Sequence, residues 1–176
     1  ILLNNLFKHT QMQINFGAIM LALVDGHPRI LNLRQILYYY LKHQEEVVTR
    51  RTQYELDKAK AKAHILEGLL IALDHIDEVI RTIRESRTDD IARASLMEKF
   101  GLSEKQATAI LDMRLRRLTG LERDKLEQDY KDVLETIDYL TDLLSSRDKL
   151  MGVVKDELLD EKKNFGDERR TEIAEA

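Results

Sequence analysis

The chain has 176 residues, 34% of them charged and 43% hydrophobic, with a net charge of −4, one proline and no cysteine. That is one domain's worth of chain; it excludes disulfides and thiolate metal sites, and it excludes a uniformly basic nucleic-acid binder while leaving room for local basic patches. No apolar run approaches the ~18 residues of a membrane span, so no membrane partner is expected. The chain opens at Ile1 in mid-pattern and reads as a fragment of a longer protein.

Residues 1–31 begin with a short apolar helix carrying Leu2, Leu3, Leu6 and Phe7. Between Gln11 and Leu31, Ile14, Phe16, Ile19, Leu21 and Leu23 alternate or nearly so. Asp25-Gly26 then supplies a hairpin turn. An isolated two-stranded hairpin is marginal in water, so strands beyond this fragment are expected to complete it.

Asn32 with Gln35 has capping-box spacing and opens a long helix, expected over 32–74. Its middle, Asp57–His64, offers only Ala59, Ala61 and Ala63 as apolar residues, which predicts a thin waist. Residues 75–119 predict a head of short helices. Thr88-Asp89-Asp90 caps one and Gly101 ends it, Ser103 with Gln106 caps the next, and Thr119 with Glu122 caps the return. Over 120–166 the apolar residues Leu126, Tyr130, Val133, Ile137, Leu140, Leu144, Met151, Val154 and Leu158 step by four and three. This is a heptad seam interrupted at Arg147. It predicts a second long helix, bent near Ser145-Ser146, then a charged tail over 167–176. The fold class is therefore mainly α: a long antiparallel two-helix coiled-coil arm with a small all-helical head and a short β-hairpin near the N-terminus.

Few residues point to chemistry. No histidine has a second histidine four residues on or an acidic residue three before it, and there is no glycine-rich phosphate loop. Tyr38, Tyr39 and Tyr40 spread around the helix and read as packing residues. Two basic clusters stand out, Arg50-Arg51 and Arg114, Arg116 and Arg117. They read either as a solvated face paired with Glu45, Glu46 and Asp112, or as contacts to a nucleic-acid backbone. A head of about 45 residues is marginal alone, which favours burial against a second copy.

Several strings carry a family resemblance: Val47-Val48-Thr49-Arg50-Arg51-Thr52, Ala63-His64-Ile65-Leu66-Glu67-Gly68-Leu69, Ala109-Ile110-Leu111-Asp112-Met113-Arg114-Leu115 and Arg117-Leu118-Thr119-Gly120-Leu121-Glu122. Asn15-Phe16-Gly17 and Asp167-Glu168-Arg169-Arg170-Thr171-Glu172 extend it to both ends. Together they resemble the A subunit of bacterial DNA gyrase, within the type IIA DNA topoisomerases. The A subunit of topoisomerase IV is the nearest alternative, and an unrelated coiled-coil scaffold or clamp the more distant one.

The resemblance implies the edge of the tower domain, the coiled-coil arms and the C-gate. Two heads would meet in a homodimer and part to release a double-stranded DNA segment during ATP-dependent negative supercoiling. Head contacts are then expected from Ile76, Val79, Ile80, Ile83, Leu111, Met113, Leu115 and Leu118, with Arg50 and Arg51 guiding DNA. Flexing is expected at the alanine waist and near Arg147. The family's catalytic tyrosine follows an arginine, and no Arg-Tyr pair occurs here, so no catalytic residue is expected. No cofactor or metal is expected on the fragment. The resemblance places Mg2+ and ATP with the gyrase B subunit, its partner in the parent complex, and the whole complex in the bacterial cytoplasm on the chromosome.

Overall fold

The computed structural model describes residues 1–114 and 120–173. These are mainly helical with one two-stranded sheet, and the chain divides into two units, Ile1–Gln44 and Glu45–Ala176.

In the first unit, α1 (Leu2–His9) buries none of its residues. Thr10 stops it in extended backbone, and the Thr10 hydroxyl donates to the Leu6 carbonyl at 2.5 Å. β1 (Leu21–Val24) and β2 (His27–Ile30) pair antiparallel, Leu21 opposite Ile30 and Val24 opposite His27. Asp25 and Gly26 make the turn at φ 52° and 76°. Two left-handed residues give the turn a twist that matches the strands it joins. The sequence alternation starts at Ile14, yet the ladder starts only at Leu21. A strand exists by pairing, and residues 11–19 meet no neighbouring strand among the described residues, so Ile14, Phe16 and Ile19 stand exposed. The predicted capping box then closes in both directions. Gln35 N–H donates to Asn32 Oδ1 at 2.9 Å, and Asn32 N–H donates to Gln35 Oε1 at 3.0 Å. It opens α2 (Leu33–Asp74), whose residues 33–44 belong to this unit.

In the second unit, α2 continues from Glu45 and is followed after His75 by α3 (Ile76–Glu85). Asp77 and Glu78 occupy the first turn of α3, where a carboxylate complements the helix dipole. Thr88 caps α4 (Asp89–Phe100), accepting from Ile91 N–H at 3.3 Å, and Gly101 at φ 64° ends it. Ser103 and Gln106 form the capping box of α5 (Glu104–Leu111). Thr119, the expected cap of the return helix, lies outside the described residues.

The return consists of two helices, α6 (Gly120–Ser145) and α7 (Arg147–Phe165). Arg123 meets Asp74 at 2.5 Å, and Leu143 packs with Val48, so α6 runs antiparallel to α2. Leu126, Val133 and Leu140 are buried at heptad intervals, with Tyr130 and Ile137 half-buried beside them, as the seam predicts. Below Leu140 the seam rotates. Leu143 and Leu150 are buried, while Leu144 and Met151, the predicted positions, are only half-buried; Val154 is buried as predicted.

The break at Ser146 belongs to that rotation. Ser146 is extended, at φ −137° and ψ 122°, and the Ser145 hydroxyl donates to the Asp142 carbonyl at 2.6 Å. Serine side chains compete for backbone partners in this way, and serine pairs are a recurrent site of helix breaks. The expected bend is thus a full interruption, and α7 does not continue the line of α6. Arg147 pairs with Glu45, and Glu157, ten residues on, pairs with Arg51. Along a straight antiparallel return, a later residue would meet an earlier position on α2. Here it meets a later one, so α7 turns back in the sense of α2.

Among the described residues the core lies in two clusters. One gathers Leu66, Leu69, Leu73, Val79, Leu96, Leu102, Ala107, Ile110, Leu126 and Val133. The other is Val48, Leu143, Leu150 and Val154. Of the expected waist Asp57–His64, residues 57–62 are exposed apart from half-buried Ala59, whereas Ala63 is buried in the first cluster and His64 is half-buried.

Candidate functional site

Ile76, Val79, Ile80 and Ile83 recur at helical spacing and form one stripe along α3. Val79 is buried to 1% exposure, while Ile76, Ile80 and Ile83 remain half-buried with free area. Facing the stripe is the C-terminal end of α5, where Ile110 is buried and Leu111 and Met113 are half-buried. Between them lies an apolar groove of about 340 Å³ lined by Ile76, Val79, Ile80, Ile83, Arg84, Ile110, Leu111 and Met113. Six of the eight expected contact residues therefore share one groove. Leu115 and Leu118 lie outside the described residues.

Two lining residues were not singled out from sequence. Ile110 is buried on α5 and also lines the groove. Arg84 follows Ile80 by one helical turn, and that spacing was the available signal. Among the described residues it is the one charged side chain in the lining.

The placement of α5 depends on a polar contact with α2. Gln106 is buried to 5% exposure, and its amide Nε2 donates to the His64 carbonyl at 2.8 Å. The same Nε2 stands 3.4 Å from His64 Nδ1, and His64 Nε2 stands 2.6 Å from Ser103 Oγ. One turn along α2, Gly68 lies directly beneath Gln106. A Cβ there would stand 2.6 Å from Gln106 Cγ and 2.7 Å from its Cβ, closer than carbon atoms pack.

Arg50 and Arg51 take no part in the groove. They are exposed on α2, about 35 Å along the helix from its C-terminal end at 1.5 Å per residue. Arg50 Nε donates to the Glu46 carbonyl of its own helix at 3.4 Å, and Arg51 pairs with Glu157 on α7. The sequence named Glu45 and Glu46 as plain partners for these arginines. Glu45 instead takes Arg147, at 2.5 and 2.9 Å. Arg147 holds the Glu45 carboxyl below its ordinary pKa of 4.5, chiefly by the hydrogen bond. Among the described residues no group of three or more His, Asp or Glu side chains is placed to hold a metal ion. No helix among them is long and apolar enough to cross a membrane.

Comparison with known proteins gives this helical arrangement, with its apolar groove between α3 and α5, a family. The chain belongs to the DNA gyrase/topoisomerase IV A-subunit family, whose family model matches residues 1–159. It is 60% identical over 173 residues to the DNA gyrase A subunit of Staphylococcus epidermidis, covering 98% of this chain and 19% of that protein. Identity to the DNA gyrase A subunit of Streptococcus pneumoniae is 61%, over 98% of this chain and 21% of that protein. For the Staphylococcus aureus protein it is 59%, over 98% and 20%. The chain thus spans about one-fifth of the length of the curated relatives it matches.

Proposed function

We propose that this chain is the C-gate and coiled-coil segment of a gyrase A subunit, and that the apolar groove between α3 and α5 is where two copies meet. The supporting observation is the groove itself, a stripe of half-buried isoleucines facing Leu111 and Met113 in a member of this family. A gate must close and reopen. Half-buried apolar side chains suit that task, because their remaining area is covered on association at a modest gain of about 25 cal/mol per Å².

In this reading the head pair closes a ring around a passed double-stranded DNA segment, and opening lets it leave during ATP-dependent supercoiling by the whole enzyme. Arg50 and Arg51 face that DNA. Strand cleavage is assigned elsewhere in the parent, since the sequence holds no Arg-Tyr pair. Mg2+ and ATP are assigned to the gyrase B subunit, the partner in that complex, which is placed in the bacterial cytoplasm. Identities of 59–61% to gyrase A proteins favour gyrase over topoisomerase IV. Family membership removes the unrelated scaffold from consideration.

Sedimentation equilibrium of the chain, with and without Leu111→Asp, tests the groove. The expected result is a dimer of twice 20.6 kDa that becomes monomeric on this one change. A wild-type monomer, or a dimer indifferent to the aspartate, overturns the assignment.

A further inference from the structure

We infer that His64, Ser103 and Gln106, seated on Gly68, are positioning residues that set the spacing of the two groove walls and so control association of a second copy. This inference rests on the reading of the groove as a self-association surface. α5 is only eight residues long, so fixing its first turn fixes its end, where Ile110 and Leu111 form one wall. The other wall, α3, follows α2 after the single residue His75. The separation of the walls is therefore set by where α5 sits on α2.

Apolar contacts alone define that seat loosely, because aliphatic side chains repack at little cost. Hydrogen bonds do not slide, since they weaken steeply with distance and angle. With the ring proton of His64 on Nε2, both ring nitrogens of His64 and the whole Gln106 amide find partners. Nε2–H donates to Ser103 Oγ, and the two amide hydrogens of Gln106 go to the His64 carbonyl and to Nδ1. Ser103 Oγ also accepts from Gln106 N–H at 3.2 Å, and Gln106 Oε1 accepts from Ser103 N–H at 2.9 Å. Gly68 fixes the depth of the seat, because any Cβ there displaces Gln106.

Gln106 does more than its cap requires. A capping box needs only the side-chain oxygen, and glutamate serves it equally. The amide nitrogen is the part that reaches α2. Gln106→Glu therefore keeps the cap and deletes the tether, turning a carboxylate toward the His64 carbonyl. Gly68→Ala lifts α5 by a separate route.

Sedimentation equilibrium at 20 °C and pH 8, beside far-ultraviolet circular dichroism and thermal melting, tests the inference on the 176-residue chain. Both substitutions are expected to weaken self-association by about tenfold or more while helical content stays that of the wild type, a change of about 1.4 kcal/mol. Unchanged association in both variants, with Leu111→Asp still giving monomers, overturns the inference and leaves the groove reading standing. Dissociation that only accompanies loss of helical content in both variants makes the cluster ordinary core and also overturns it. A dimer indifferent to Leu111→Asp removes the groove reading and this inference with it.

Discussion

At the scale of single residues, burial rather than residue type decides what a substitution costs. Leu96 is 0% exposed on α4 and Leu121 is 82% exposed at the start of α6. Leu96→Ala deletes buried methyl groups and leaves a cavity, which costs about 2–5 kcal/mol. Leu121→Ala removes nothing packed, and a change within about 0.5 kcal/mol is expected. Urea unfolding of both variants checks the contrast, and equal midpoints would mean that α4 does not belong to the cooperative core. Thr52 makes the complementary point. It is polar and 3% exposed, yet its hydroxyl donates to the Val48 carbonyl at 2.8 Å, so its burial leaves no unmet donor.

At the scale of elements, the informative case is α7 against α2. The contact combines the cluster of Val48, Leu143, Leu150 and Val154 with the Glu45–Arg147 and Arg51–Glu157 pairs. The Glu45 pKa is depressed in the folded chain, so its contribution is present above the ordinary carboxylate value of 4.5 and is lost as pH falls through the lowered one. Protection factors of α7 amides, that is, exchange corrected for its intrinsic pH dependence, are therefore expected to fall on acidification below that value. Glu45→Gln should give faster exchange at neutral pH and a flatter acid dependence over that range. An acid response identical in wild type and variant would mean that other carboxylates hold α7.

The sequence made some of these elements legible and not others, for physical reasons. Caps were legible because they are local: Asn32 with Gln35, Thr88, Gly101 and Ser103 with Gln106 each act within one turn of chain. The heptad seam was legible down to Leu140, where the buried stripe keeps to one face of α6. It slips at Leu143, still within α6, and the reading named Leu144 and Met151 where Leu143 and Leu150 are buried, while Val154 is buried as named. A count of fours and threes carries no information about which neighbour the tertiary contact selects. The stripe on α3 was legible for the same reason as the seam. Leu111 and Met113, its facing partners, were named through the family resemblance, whereas the Gln106–His64 tether, 42 positions apart, arises from tertiary placement that no local pattern encodes.

At the scale of the whole molecule, groove and basic pair are separable. Arg50→Glu changes a side chain far along α2 from the groove. In a full-length gyrase A protein carrying it, slower strand passage with a flatter salt dependence is expected, because log affinity for a phosphate backbone falls with log salt in proportion to the charges engaged. Self-association of the head should be unchanged. An unaltered salt dependence would mean that Arg50 does not meet DNA. Arg51→Glu alone is a poorer test because it also sets two carboxylates against each other beside α7. Pairing it with Glu157→Arg restores the ion pair while moving the positive charge to the other helix.

The interruption at Ser146 has a mechanical consequence. A continuous helix carries torque along its hydrogen-bonded ladder, and a single extended residue with its own ψ of 122° does not. Side chains take over at the junction: Lys149 meets Asp142 of α6, Leu143 packs with Leu150 and Val154, and Arg147 and Glu157 pair with Glu45 and Arg51 of α2. A twist of α6 therefore reaches α7 through these contacts and not through the backbone ladder.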